Sequence, residues 1–567
     1  MRAIACLLLA AGLPAAAGQG ELRGVWMHAT QVKSRAEADG AIARIEAANL
    51  NAIFILVWYW GGQAFFHTPL CPMGEGVEEG HDPLGHMVAE AHRRDIEVHA
   101  WFVNGAYGAS SPRHVLDEHP EWAVDTGGES EELWYDFGKP QVRQFQSDLM
   151  IGCLRRYDVD GLHFDYIRYG PRMCWCEHCQ AEFARRTGFE PLSPERRAQF
   201  PVLAAVSSNP VVQPTTATVL VEFSSGVPAI ALNRLGEGEV LVLNWHAEKS
   251  RSPAVTATLQ RTLERWEAEP GKVVCLDTEP NRRKYGRRFT HAAVQWLRKL
   301  GTRPRAVRED RLADLPADAV VVLPCLYYIP QGVAEQLEAR VRRGAHLVVI
   351  DGPVYAIARP AVQRLVGFKA KGRYFSDLVA LVATGESELA PDSGRKLDLA
   401  REKRRGELWA EYRKDTVTAL VRDVGRRARA VEPRALVSAA VFTPLASAEH
   451  VLQDWPRWLR EHAIDLAIPM AYTRSNESLE AQVAEWKSLD PRLQWIVPGL
   501  SIYQRTEKGT VTRDIDLVLA QRRLCREAHA RGTVFFSLHY LDDALTEALR
   551  TGPFAQPARP YHPPPRP

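Results

Sequence analysis

Short, unbroken apolar runs alternate along this chain with longer stretches in which apolar residues recur every three to four positions. Runs of that kind read as strands buried on both faces. The stretches between them read as amphipathic helices packed over those strands. Leu22–Thr30 reads as a strand and Ala36–Ala48 as a helix with Ile42 and Ile45 on its apolar face. Strand Asn51–Trp60, helix Pro83–Arg94, strand Ile96–Asn104, helix Gln141–Tyr157 and strand Gly161–Tyr169 follow. The rhythm resumes with helix Glu407–Ala430, strand Ala435–Phe442, helix Val451–His462, strand Asp465–Tyr472 and helix Ser478–Leu489. Strand Gln494–Tyr503, helix Ile515–Arg531, strand Thr533–Leu541 and helix Asp543–Arg550 complete it. Two sets of four strand–helix units predict an α/β chain closed into a (β/α)8 TIM barrel.

The middle of the chain breaks this rhythm. Val219–Phe223, Ala229–Leu232 and Val240–Asn244 read as short strands, with a hairpin turn at Gly236–Glu239. Strands Val273–Asp277, Ala319–Pro324 and Ala345–Asp351 then alternate with helices Thr290–Leu300 and Gln331–Arg343, a small doubly wound unit. The expected layout is a barrel half over 20–200, an inserted β-rich plus α/β domain over 201–375, and a second barrel half over 376–555. A structureless loop of that length is improbable in a compact protein.

The ends are different. Residues 1–19 carry Arg2, an apolar run and then Ala15, Ala16 and Ala17, a signal-peptide pattern that predicts export to the periplasm or the medium. No later run is long enough for a transmembrane helix, so no membrane span is expected in the mature chain. Residues 556–567 are proline-rich and read as an extended tail without a core.

A formal net charge of +2 removes nucleic acid as an expected partner. Tryptophan is abundant, with 15 residues, and aromatic faces stack on the apolar faces of sugar rings. In a barrel of this kind the reactive groups stand at the carboxyl ends of the strands. Those ends offer Trp26, His28, Trp58, Trp60, Asn104, His163, Tyr166, Arg168, Tyr169 and Tyr503 as candidate sugar-binding residues. Asp165 is the first candidate catalytic group, because a carboxyl ending an apolar strand is costly unless paired or used; Arg168 is its candidate partner. Glycoside cleavage commonly uses two carboxyls. Asp454, just after the fifth strand, is the candidate second one, with a helix-start acid as its bland alternative. Tyr472 joins them as a catalytic candidate.

Cys174, Cys176 and Cys179 lie in the loop beyond Asp165. Three thiols this close suit a structural zinc site lacking its fourth ligand; His178 is adjacent, and Cys71, from the strand 2 loop, is the metal-ligand candidate that could arrive through space. A disulfide with a spare thiol is the alternative in an oxidising compartment. No catalytic cofactor is expected. Cys325 ends a strand in the small α/β unit but lacks a glycine-rich elbow, and reads as a buried apolar residue.

Glu21–Trp26, Val98–Phe102, Asp160–Tyr169, Ser438–Phe442, Gln453–Trp455 and Ile468–Tyr472 together resemble the bacterial glycosyl-hydrolase-like family that includes divisome-localised glycosyl hydrolases. The resemblance covers both barrel halves. It implies a (β/α)8 barrel and glycosidase activity on a polysaccharide, in one branch on peptidoglycan strands stripped of peptides, with Asp165 matching the strand-four acid. Gly170 stands where that family carries proline. The Cys-x-Cys-x-x-Cys spacing is also similar to the zinc cluster of glycoside hydrolase family 42. Residues 318–352 resemble the amidotransferase-like trimerisation domain of those enzymes, which implies a homo-oligomer. The sequence thus predicts an exported O-glycosidase acting on polysaccharide. The alternative is a carbohydrate-binding protein on a barrel without catalysis.

Overall fold

The computed structural model describes residues 20–59, 62–107, 114–126, 133–170, 174–190, 203–223, 227–245, 247, 253–325, 329–350, 359–383, 399–506 and 509–564. Eight parallel strands close on themselves: β1 Leu22–His28, β2 Ala52–Tyr59, β3 Glu97–Val103, β4 Gly161–Asp165, β5 Leu436–Val441, β6 Leu466–Ala471, β7 Gly499–Ser501 and β8 Gly532–Phe536. Closure is direct, since β1 pairs with both neighbours: Gly24 faces Ala52 on β2, and Leu22 faces Gly532 on β8. The protein is a (β/α)8 barrel.

The helices form for local reasons that the sequence carries. In α1 (Arg35–Ala47), Ser34 accepts from the Glu37 backbone N–H while Glu37 reaches back to the Ser34 N–H, a reciprocal cap. In α2 (Pro83–His92), Asp82 caps and Pro83 takes the first turn, where its missing N–H costs nothing. Helix α3 (Pro140–Arg156) follows β3, and α4 (Glu177–Thr187) follows β4. The second half contributes α5 (Leu399–Val431), α6 (Trp455–Arg460), α7 (Asn476–Leu489), α8 (Ile515–Glu527) and α9 (Asp543–Thr551). The helix expected over 451–462 is shorter than its pattern, because Asp454 caps a new helix start at Trp455.

Two apolar layers result. The larger lies between strands and helices; the smaller fills the barrel with Leu22, Trp26, Phe54, Leu56, Trp101 and Val534 among others. Gly499 makes room for this filling, since a Cβ there would come within 2.6 Å of the Trp26 indole.

The tail departs from expectation. Tyr561 is 6% exposed and packs into the barrel filling. Its hydroxyl donates to the Gln494 carbonyl, and His562 pairs with Glu97 at the start of β3 at 2.6 Å. Backbone carbonyls of Gln556, Ala558 and Arg559 accept from Arg23, Asn51 and Glu21. The tail gains a core because one aromatic ring closes the amino-terminal end of the barrel.

Between β4 and α5 lies a second nine-stranded sheet. Its order is Arg305–Arg308, Val273–Asp277, Val320–Pro324, Leu347–Ile350, Gly238–Leu243, Pro228–Leu235, Thr218–Phe223, Phe368–Ala383, Leu203–Pro214. The first five are parallel to one another, and the others join antiparallel. Among the described residues no helix is long and apolar enough to cross a membrane.

Candidate active site

Asp165 is the last residue of β4, so barrel geometry alone brings it to the carboxyl-terminal mouth. Its carbonyl accepts from the Asn104 N–H at 2.8 Å, which ties the ends of β3 and β4 together. The next residue, Tyr166, has φ +47°, a left-handed conformation that a bulky side chain adopts only under constraint. That turn aims the Tyr166 N–H at Asp165 Oδ1, 2.6 Å away. Local backbone strain of this kind collects at functional sites.

Asp165 is 6% exposed. Burial raises its pKa to about 6. Arg168, the Tyr166 N–H and the Trp101 indole pull the other way without cancelling it. Arg168 Nη1 lies 3.9 Å from Oδ1 as an ion pair. Its guanidinium stacks on the Tyr166 ring at 4.0 Å and the Phe442 ring at 4.5 Å. Tyr472 also feels the Asp165 charge. Burial, then that charge, push the phenol well above its usual pKa, so Tyr472 stays a neutral donor beside the carboxyl.

Aromatic rings surround this group. Phe536, at the end of β8, lies 5.5 Å from Tyr472, 5.9 Å from Tyr503, 6.3 Å from His28 and 6.4 Å from Trp101. Trp101 meets His28 edge-on at 5.5 Å. One layer down, the Trp26 indole N–H donates to His163 Nε2 at 3.0 Å, and His163 Nδ1 lies 2.8 Å from Ser438 Oγ. Burial holds the His163 pKa well below its usual value, so the ring is neutral. Since Nε2 accepts, the proton sits on Nδ1 and points to Ser438. The site thus pairs a protonatable carboxyl with aromatic walls, suited to protonating a leaving oxygen beside a stacked sugar ring.

The structure separates the sequence candidates. Asp165, Tyr166, Arg168, Tyr472, Tyr503 and His28 meet at the mouth, with Trp26 and His163 below them. Trp60 lies outside the described residues. Trp58 is not in the cleft: it is 1% exposed and packs on the outer face of the sheet against Tyr135 and Phe145. The pairing of β2 with β3 shifts by one residue between Leu56 and Trp58, and that bulge turns Trp58 outward. Asn104 likewise faces α3, where its side chain meets Gln146 at 3.1 Å. Tyr169 is fully buried away from the mouth, with the Arg413 guanidinium over its ring at 3.3 Å. Asp454 accepts from the Arg457 N–H at 3.3 Å as a helix cap. The charges that bear on it are Lys414, Arg457 and Arg460. Among the described residues no second carboxylate stands with the groups that shift Asp165.

The cysteines assemble differently from the expected set. Cys174, Cys176 and Cys179 gather around Asp136 Oδ2 at 3.2, 3.7 and 3.0 Å. Cys71 takes no part in this group. Its thiol is pushed up to about 12 by burial. The three thiols are free, with Cys174 and Cys176 sulfurs 3.3 Å apart. A tetrahedral zinc with ligands at about 2.0–2.3 Å holds its ligand atoms roughly 3.5 Å apart, so the donor set fits that ion. The other Asp136 oxygen is braced by Arg413 at 2.8 Å and the Gly138 N–H at 3.0 Å. Lys139 adds a second cation 3.6 Å from Oδ2. Three thiolates, one carboxylate, Arg413, Lys139 and a divalent ion sum to neutrality, which a buried site requires.

Sequence reasoning takes Asp136 only as a helix-start acid and does not single out Trp101 or Phe536. Trp101 stands in the Val98–Phe102 motif and shares the inward parity of Val103. Asp136 carries no spacing signal, since it lies 38 positions before Cys174.

Comparison with known proteins gives a family. The glycosyl hydrolase YngK of Bacillus subtilis (strain 168) is 28% identical over 134 residues, covering 21% of this chain and 26% of that protein. The glycosyl hydrolase DigH of Escherichia coli (strain K12) is 30% identical over 142 residues, covering 21% of this chain and 31% of that protein. The chain thus spans about a quarter to a third of the length of these curated relatives. Among solved structures, the β-galactosidase from Bacillus circulans sp. alkalophilus superposes with a TM-score of 0.42 at 10% identity, covering 92% of this chain and 50% of that one. The family model "Glycosyl hydrolase-like 10" matches residues 21–200 and 386–511, more than half of the sequence and both sides of the barrel. The chain belongs to the glycosyl hydrolase-like 10 family.

Proposed function

We propose that this protein is an exported glycosidase that cleaves O-glycosidic bonds in a polysaccharide, with Asp165 as its essential carboxyl. One observation carries the reading: a buried carboxyl, its pKa raised by burial to about 6, stands at the barrel mouth among His28, Trp101, Tyr472 and Phe536. A carboxyl poised near neutrality protonates a departing glycosidic oxygen and, once ionised, accepts a proton from water. Tyr472, held neutral by burial and by the Asp165 charge, offers a phenol hydrogen near it. The aromatic walls hold the sugar faces, and the Trp26–His163–Ser438 chain fixes the floor.

Family membership supports the reaction class. The peptidoglycan glycan strand is the first substrate to try, from the resemblance of the barrel motifs. Export rests on the signal-like pattern of residues 1–19. A zinc ion held by Asp136, Cys174, Cys176 and Cys179 would act as a staple between the loops after β3 and β4. Association through the segment between the barrel halves belongs to the same reading. The experiment is product analysis after incubation of the protein with denuded glycan strands and a panel of neutral polysaccharides. Release of shorter saccharides is expected. Retention of polysaccharide with no product would instead favour a binding protein, a reading that the placement of Asp454 as a helix cap keeps in view.

A further inference from the structure

The second sheet carries a place where its strand order reverses. The chain runs from Val273–Asp277 out to Arg305–Arg308 on one side, then returns past it to Val320–Pro324 on the other. Parallel α/β sheets take ligands in the crevice outside the carboxyl ends of the strands flanking such a reversal. Here those ends are Asp277 and Cys325.

The crevice holds polar groups that the fold leaves unpaired. Thr278 is 1% exposed and its hydroxyl has no hydrogen-bond partner among the described residues. Asn281 is 9% exposed. Its Nδ2 donates to the Cys325 carbonyl, which sets the amide between the two strand ends, while its Oδ1 accepts from none of the described residues. Cys325 itself has φ +59°, a constrained conformation at the same strand end. Asp277 is by contrast satisfied, with Arg282 at 3.1 Å and Thr290 Oγ1 at 3.4 Å. A buried carbonyl oxygen without a donor costs on the order of 1–3 kcal/mol. An unbonded hydroxyl at Thr278 and an unbonded amide oxygen at Asn281, three residues apart at one strand end, mark a site whose ligand completes the bonding.

The chemistry of the crevice selects the ligand. Asn281 Oδ1 only accepts, so the ligand must offer O–H or N–H there; the Thr278 hydroxyl both gives and accepts. Phosphate is disfavoured. The turn Asp277–Asn281 contains no glycine, Pro280 has no N–H, and the Glu279 N–H is already taken by the Glu309 carboxylate at 2.8 Å. Glu279 and Glu309 add negative charge beside it, while the nearby cations Arg282 and Arg287 are engaged by Asp277 at 3.1 and 3.8 Å. We infer that the strand reversal at Thr278, Asn281 and Cys325 is a second binding site, separate from the barrel mouth, for a small neutral hydroxylated compound of the sugar or polyol class. This inference is independent of turnover at Asp165.

Hydrogen–deuterium exchange on the full-length protein tests it, with glucose and N-acetylglucosamine as probes and inorganic phosphate as comparator. Either sugar is expected to slow exchange in peptides spanning 274–290. Thr278→Val and Asn281→Leu should lose that protection, and Thr278→Ser should keep it. Far-ultraviolet circular dichroism and the melting temperature report whether each variant is folded. Ligand-induced shifts of wild-type melting temperature that survive in Thr278→Ser give a second readout. Absence of protection over 274–290 in the wild type, protection unchanged in folded Asn281→Leu, or protection by phosphate and not by the sugars would each overturn the inference. Loss of barrel activity would leave it standing.

Discussion

Trp26 Nε1 and His163 Nε2 meet at 3.0 Å across the barrel interior, joining β1 to β4 beneath Asp165. The bond fixes the tautomer of His163 and sends its remaining proton to Ser438 on β5. Removing Ser438 Oγ leaves that proton buried and unpaired, at a cost of about 1–3 kcal/mol. Ser438→Ala should therefore lower the melting temperature by several degrees, while Trp26→Phe strands His163 Nε2 with a similar loss. Calorimetry on both variants and on the double variant checks this. The double variant should cost less than the sum, because the two changes break one chain.

Asp165 makes stability depend on pH with a definite sign. Its pKa rises from 3.8 to about 6 on folding, so the folded state holds the proton more tightly than the unfolded state. Below pH 3.8 the carboxyl is neutral in both states and burial costs nothing through it. As pH rises through about 6 the folded protein must carry a buried charge. The loss approaches about 3 kcal/mol. Asp165→Asn carries no such titration. The difference in unfolding free energy between variant and wild type should grow in favour of the variant from pH 4 to pH 7, then level off. A pH-independent difference would show that the carboxyl is solvated.

The cysteine cluster predicts a metal and its ligands. Purified protein should contain one zinc per chain, and a strong chelator should lower the melting temperature. Asp136→Ala and Cys174→Ser should lose the metal. Cys71→Ser should keep it. Metal analysis by mass spectrometry is the check, and zinc lost from Cys71→Ser would return Cys71 to the site.

The buried tail predicts a stability effect far from the mouth. Tyr561→Ala should cost about 3 kcal/mol, as for a large aromatic removed from a packed interior, with the initial rate of turnover unchanged at temperatures well below melting. Denaturant unfolding measures the loss.

How much of this was legible follows from particular residues. The barrel was, because its strands are continuous apolar runs and its helices keep their own period. Asp165 was, because a charge ending such a run has few structural excuses. Trp58 was not, because a one-residue bulge after Leu56 reverses which face its side chain takes. Asn104 follows the parity of Phe102 rather than of Trp101, so it points to α3. Gly170 reads from the sequence only as a departure from the family's proline. The structure supplies the reason: any Cβ there would sit 2.2 Å from the Trp134 indole. Asp136 could not be found from spacing, since its meeting with Cys174 exists only in three dimensions. Tyr561 was hidden by the prolines around it.

The central claim rests on the carboxyl of Asp165, and the most direct measurement compares wild type with Asp165→Asn on denuded glycan strands under identical conditions. The amide preserves shape and cannot exchange a proton. Wild type should release shorter saccharides. Asp165→Asn should fall by about a hundredfold or more with its fold intact. Equal rates of product release from the two proteins would contradict the account.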